Sequence, residues 1–161
     1  MWGALHSFLS NVRGRWRGGK PVARAEGAQI TLVALVAGDQ DRKLLSEIAD
    51  RSRWSVHFAD TCEEAWTELN RLKAPVILCD RDLPDAEWRE VVQRMASSAH
   101  RACAILVSRV VDDYLWNEVI GKGGYDVLAK PLRADELIRS VKLAWSFWNS
   151  SAKMPPLRNY G

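Results

Sequence analysis

Four short runs of almost unbroken hydrophobic residues govern what this chain can become. ITLVALVA (30–37), PVILCD (75–80), ACAILVS (102–108) and YDVLAK (125–130) have strand length and strand composition. A strand that is apolar at nearly every position is buried on both faces, and that is the condition of a parallel sheet covered by helices. The stretches between the runs supply the covers. Leu44, Leu45 and Ile48 recur at helical spacing after the first run. Ala65, Leu69 and Leu72 follow Thr61, whose spacing to Glu64 is that of a capping box. Trp88, Val91, Val92 and Met95 mark a helix over 86–97, and 112–120 reads as a short one. Leu137, Ile138, Val141, Ala144, Trp145 and Trp148 carry the last, over 134–148. One further strand, WSVHFA (54–59), alternates Trp54, Val56 and Phe58 with polar residues, as an edge strand should.

Five strands alternating with five helices predict an α/β fold, a five-stranded parallel sheet with helices on both faces. The expected order is 2-1-3-4-5, the common doubly wound solution, which gathers ligands at the carboxyl ends of the central strands. At 161 residues the chain suits one domain, read here as 29–148. Residues 1–28 and 149–161 read as tails.

The net charge of +3 is concentrated in the first tail, where Arg13, Arg15, Arg17, Lys20 and Arg24 stand against Glu26. The remainder is close to neutral and has no nucleic-acid footprint. Trp2, Leu5, Leu9 and Val12 share a helical face beside those arginines, a pattern of interfacial helices, but a disordered tail is the preferred reading over membrane contact. No apolar run reaches the length of a membrane span. Cys62, Cys79 and Cys103 lack metal-type spacing and suit a reducing, cytoplasmic setting. His6, His57 and His100 are scattered and suggest no ligand set.

Chemistry collects at the strand ends. The third run stops on Asp80, skips to Asp82 and turns at Leu83-Pro84; the fourth ends on Ser108 and the fifth on Lys130. A carboxylate can attack a phosphoryl group, a lysine can neutralise its charge, and a hydroxyl can donate to its oxygens. Each residue also has a plainer reading, as a turn carboxylate, a solvated lysine and a loop hydroxyl.

In these residues the chain resembles the receiver domain of bacterial two-component response regulators. The resemblance runs over roughly 29–148 and rests on DRDLP (80–84), DTCEEAWTEL (60–69), DRKLL (41–45), Ser108 and AKP (129–131), in that order. It implies that Asp80 is the phosphoacceptor, served by a histidine kinase or a phosphotransfer protein. Lys130 would pair with Asp80 and then with the phosphoryl oxygens, and Ser108 would close over them. The backbone carbonyl of Asp82 would be a Mg²⁺ ligand beside Asp80, and a cis bond would precede Pro131. Enzymatic activity would amount at most to self-catalysed phosphoryl transfer to Asp80 and hydrolysis from it. With about 28 residues before the domain and about a dozen after it, a downstream protein is the expected output. Leu143 and Phe147 form a second apolar stripe on the last helix, more commonly a core edge, with a homodimer or target interface there as the alternative.

Two departures from the receiver pattern stand out. Receivers carry an acidic pair after the first strand, and this chain has Val36, Ala37 and Gly38 there. Asp39 is left as a weak metal ligand that suits a helix N-cap or dipole partner better, and Asp41 reads as surface. At the switch position three residues before the lysine stands Val127, with Tyr125 expected on the same strand face. The first expectation is a phosphorelay response regulator. Its rival is a phosphorylation-independent pseudo-receiver that binds protein, and the stretch 36–39 leans toward it. A flavodoxin-like cofactor binder is disfavoured because GDQD after the first strand has no phosphate-cradling glycines or hydroxyls.

Overall fold

The computed structural model describes residues 29–152. The expectations for 1–28 and for the end of the second tail fall outside them. The elements alternate strictly: β1 (Ile30–Leu35), α1 (Asp39–Ser52), β2 (Trp54–Phe58), α2 (Cys62–Leu72), β3 (Val76–Asp80), α3 (Trp88–Ala96), β4 (Cys103–Ser108), α4 (Asp113–Gly121), β5 (Asp126–Ala129) and α5 (Ala134–Ala152). All neighbouring strands are parallel, in the order β2-β1-β3-β4-β5, as the apolar runs require. The last helix continues past its expected end at 148.

Alternation along each strand sorts the core into two layers. Val33, Leu35, Ile77, Cys79, Ala104, Leu106 and Val127 pack against α2, α3 and α4 through Leu69, Trp88, Val92, Met95 and Val119. Ile30, Leu32, Ala34, Val36, Leu78, Ile105, Val107 and Leu128 pack against α1 and α5 through Leu45, Ile48, Leu137 and Val141. Burying each large aliphatic side chain contributes about 1.5–3 kcal/mol, which is why these runs tolerate so little polarity.

Helix starts follow the local chemistry. The Thr61 hydroxyl accepts from the Glu64 N–H at 3.1 Å, and the Glu64 carboxylate accepts from the Asp60 N–H at 2.9 Å. Asp112 caps α4 by accepting from Leu115 N–H at 2.7 Å. By contrast α1 begins at Gly38, which has no capping side chain.

Two polar contacts fix α5, one buried and one half-buried. Asp126 accepts from its neighbour Val127 N–H at 2.8 Å and from the Ser140 hydroxyl at 2.6 Å. At the far end, the Trp148 indole N–H donates to the His100 carbonyl at 2.7 Å.

Candidate functional site

Register decides which residues meet at the carboxyl edge. Leu35 pairs with Cys79, Asp80 with Val107, and Ser108 with Ala129. One residue beyond Leu35, the register sets Val36 beside Asp80. One residue beyond Ala129 comes Lys130, joined to Pro131 by a cis peptide bond. Its backbone N–H donates to the Ser108 carbonyl at 2.9 Å, tying β5 to β4 at this level.

The Lys130 ammonium is the centre of the site. It donates to Asp80 Oδ2 at 2.7 Å and lies 3.1 Å from Asp41 Oδ2. All three side chains are largely enclosed: Asp80 is 5% exposed, Asp41 13% and Lys130 15%. Burial alone would lower the lysine pKa. Hydrogen bonds and charge attraction from Asp80 and Asp41 outweigh it and raise the pKa above the usual lysine value, so the ammonium stays charged. A weak third contact reaches Asp80 Oδ2, from the Ala37 N–H at 3.4 Å.

Asp41 is therefore not the surface residue its sequence position suggests. It lies in the first turn of α1, where a carboxylate suits the positive end of the helix dipole. The turn folds it back over Gly38, where an added Cβ would come within 3.1 Å of Asp41 Oδ2. The missing Cβ leaves room for that carboxylate to face Lys130.

Asp39 opens the same helix and is exposed. Asp82 is exposed on the loop after β3. Ser108 is 2% exposed, and its hydroxyl is engaged within its own loop. That hydroxyl donates to the Val110 carbonyl at 2.7 Å and accepts from the Val110 N–H at 3.3 Å. Val127 is buried against α2–α4, whereas Tyr125 packs in the opposite layer, its ring centroid 5.6 Å from that of Phe147. The shared face expected for the two fails because β5 starts only at Asp126. Tyr125 still belongs to the turn after Gly124, outside the two-residue alternation.

Arg42 went unread as a site residue. Its guanidinium donates to the Val36 carbonyl at 2.8 Å, to the Ala59 carbonyl at 3.2 Å and to Asp60 at 2.7 Å, and lies 5.3 Å from the Phe58 ring centroid. It pins the ends of β1 and β2 together. Beside it a cleft of about 270 Å³ has Val36, Ala37, Leu83 and Pro84 on its walls.

The donor set fits Mg²⁺ poorly. Mg²⁺ takes near-octahedral oxygen ligands and usually one or two carboxylates. Here both enclosed carboxylates share one ammonium, and Val36, Ala37 and Gly38 offer no side-chain oxygen. No cluster of three or more His, Cys, Asp or Glu suited to a metal occurs among the described residues. None of the helices described is long and apolar enough to cross a membrane.

No curated protein matches the chain in sequence. Solved structures match it closely in shape. The signal receiver domain of an HD domain-containing protein from Pseudomonas fluorescens Pf-5 superposes with a TM-score of 0.71 at 18% identity, covering 86% of this chain and 99% of that one. A two-component response regulator from Clostridium difficile gives 0.65 at 22% identity, with 76% and 99% covered. A response regulator from Thermotoga maritima gives 0.66 at 21%, with 74% and 99% covered. At such identities the likeness establishes the fold. The family model for the response regulator receiver domain matches residues 35–142, most of the sheet and its helices. The chain thus belongs to the response regulator receiver domain family of two-component signalling.

Proposed function

We propose that this receiver works as a phosphorylation-independent, protein-binding module, a pseudo-receiver within a two-component pathway. Receiver domains typically bind Mg²⁺, and the family implies a histidine kinase as the partner class. One observation carries the proposal. The strand end that would hold the metal closes on Val36, Ala37 and Gly38, and the second carboxylate at the edge, Asp41, is engaged by Lys130. An incoming phosphoryl group would bring further negative charge to two carboxylates that share one ammonium. At an effective dielectric of about 20, each like-charge pair about 4 Å apart costs roughly 4 kcal/mol. Contacts with a downstream protein are supported by large apolar side chains exposed on the α4 side and on α5: Val110, Tyr114, Ile120 and Phe147. The exposure of Phe147 on α5 supports a homodimer through that helix. Three free, buried cysteines accord with a reducing, cytoplasmic setting.

A second reading rests on the 2.7 Å contact between Lys130 and Asp80. In it, an Asp80 carboxylate oxygen attacks the phosphorus of a phosphohistidine on a histidine kinase or phosphotransfer protein. The P–N bond breaks, the imidazole leaves, and an acyl phosphate forms. Lys130 would neutralise the transferred group and Ser108 would turn from Val110 toward it, while Asp80, Asp39 and the Asp82 carbonyl are the groups that would hold a Mg²⁺ to offset its charge.

Treatment with a small phosphoramidate donor, with and without Mg²⁺, decides between them, followed by intact-mass spectrometry with Asp80→Asn as control. The pseudo-receiver gains no mass that depends on Asp80. One added phosphoryl group that requires both Asp80 and Mg²⁺ overturns the proposal and establishes the second reading.

A further inference from the structure

We infer that Lys130 is the resident cation of this edge, a built-in ammonium that neutralises the enclosed carboxylates in place of a divalent ion, with Asp41 as the residue that makes the substitution work. The inference deepens the pseudo-receiver reading and rests on it for the role of the edge. Its own support is the geometry of three side chains from three elements.

The ammonium touches both carboxylates at once, 2.7 Å from Asp80 and 3.1 Å from Asp41. An ammonium offers three donors, and two of them are used here by the two enclosed carboxylates of the edge. The trio is enclosed, so its charges interact with less screening than surface ions do. Beyond the end of β1, Val36 and Ala37 carry no side-chain oxygen that an entering ion could exchange for its water. A divalent ion would have to take both carboxylates from the lysine and remain close to the displaced positive charge.

Asp41 supplies what the strand end lacks. An acid moved from the end of β1 into the first turn of α1 neutralises a lysine rather than completing a metal site. The clasp joins α1, β3 and β5 without a ligand, so this edge has one resting arrangement whatever the Mg²⁺ concentration.

The test uses the full chain and Mg²⁺ itself. Thermal unfolding is followed in millimolar MgCl₂ against NaCl of matched ionic strength, for the wild type and for Lys130→Met, Asp41→Asn and their double variant. The wild type should melt at the same temperature in both salts. Lys130→Met should melt lower in NaCl and recover in MgCl₂, because two carboxylates are freed for the ion. The double variant should lose that recovery. The Mg²⁺ affinity of Lys130→Met should exceed that of the wild type by at least about tenfold.

A wild type stabilised by Mg²⁺ as strongly as Lys130→Met overturns the inference, and so does a folded Lys130→Met that ignores Mg²⁺. If Lys130→Met does not fold, the wild type decides alone. Millimolar Mn²⁺ that broadens the amide NMR signals of Asp80 and Asp41 overturns the clasp, and unbroadened signals support it. The two proposals fail separately. Metal-free labelling of Asp80 by phosphoramidate would end the pseudo-receiver reading and leave the clasp, whereas metal binding without labelling would do the reverse.

Discussion

Removing the ammonium and one carboxylate together should damage the fold less than removing the ammonium alone. Lys130→Met strands Asp80 and Asp41, 5% and 13% exposed, with no counter-charge. Breaking a buried pair from one side costs about 3–5 kcal/mol, and the partial opening at Lys130 argues for the low end, about 3 kcal/mol. Asp41→Asn is milder. Lys130 keeps Asp80 at 2.7 Å, and the lost contact, one charged hydrogen bond, is worth about 1.5 kcal/mol before relief of carboxylate repulsion is counted. In the double variant Asp80 faces a neutral amide instead of a second anion. Its cost should be about 2 kcal/mol, so the double should be more stable than Lys130→Met by about 1 kcal/mol, where additivity would make it worse. Urea unfolding followed by tryptophan fluorescence measures all four corners of the cycle. A double variant no more stable than Lys130→Met would refute the shared-ammonium reasoning.

Three other outcomes follow from the same structure. The Lys130 pKa is raised in the fold, so its stabilising effect is complete below the ordinary lysine range and is lost as pH rises through the raised value. The stability gap between wild type and Lys130→Met should therefore shrink in alkaline urea titrations, and a gap that stays constant would contradict the pairing. Burial holds the His100 pKa low despite the Ala74 carbonyl beside its ring, so stability should fall as pH drops from the ordinary histidine range through the depressed value. His100→Gln should flatten that limb of the unfolding curve, and an unchanged slope would exclude His100 as its source. Thr61→Ala removes the cap of α2 and should cost about 1 kcal/mol, seen as a fall of about 4 °C in Tm; no fall would mean that Glu64 alone holds the turn.

The fold was readable because burial on both faces leaves a mark at every strand position. Four runs such as PVILCD cannot be solvated on either side, and the helical spacings between them leave few other topologies. The strand-end residues Asp80 and Lys130 were readable for the same reason, since a charge that terminates an apolar run must lie at the sheet's edge. Asp41 was not. Its contact depends on how the first turn of α1 folds back over a residue without a Cβ, and spacing along the sequence carries no record of that. Arg42 is hidden from the sequence because an arginine among the charged residues that open α1 looks like solvent-facing charge until its carbonyl partners come into reach. Tyr125 faces the layer opposite to Val127 because it precedes β5, and two-residue alternation holds only within the strand.

The two-layer sorting of the sheet has a consequence for how a disturbance at the edge could travel. Asp80 and Lys130 continue the alternation of Leu78 and Leu128, so the clasp belongs to the side of α1 and α5. Ser108 follows the alternation of Leu106, and the exposed Val110 and Tyr114 lie beyond it toward α4. The sheet is thus a partition, with the charged trio and the exposed Phe147 on one side and the exposed Val110 and Tyr114 at the rim of the other. A change at Lys130 meets α1 first, through Asp41, and reaches β4 through the Lys130 N–H bond to the Ser108 carbonyl and through the pairing of Asp80 with Val107. A partner that reads α1 would sense the trio directly through Asp41, and one that reads α4 would sense it through the backbone bonds that tie β3 and β5 to β4.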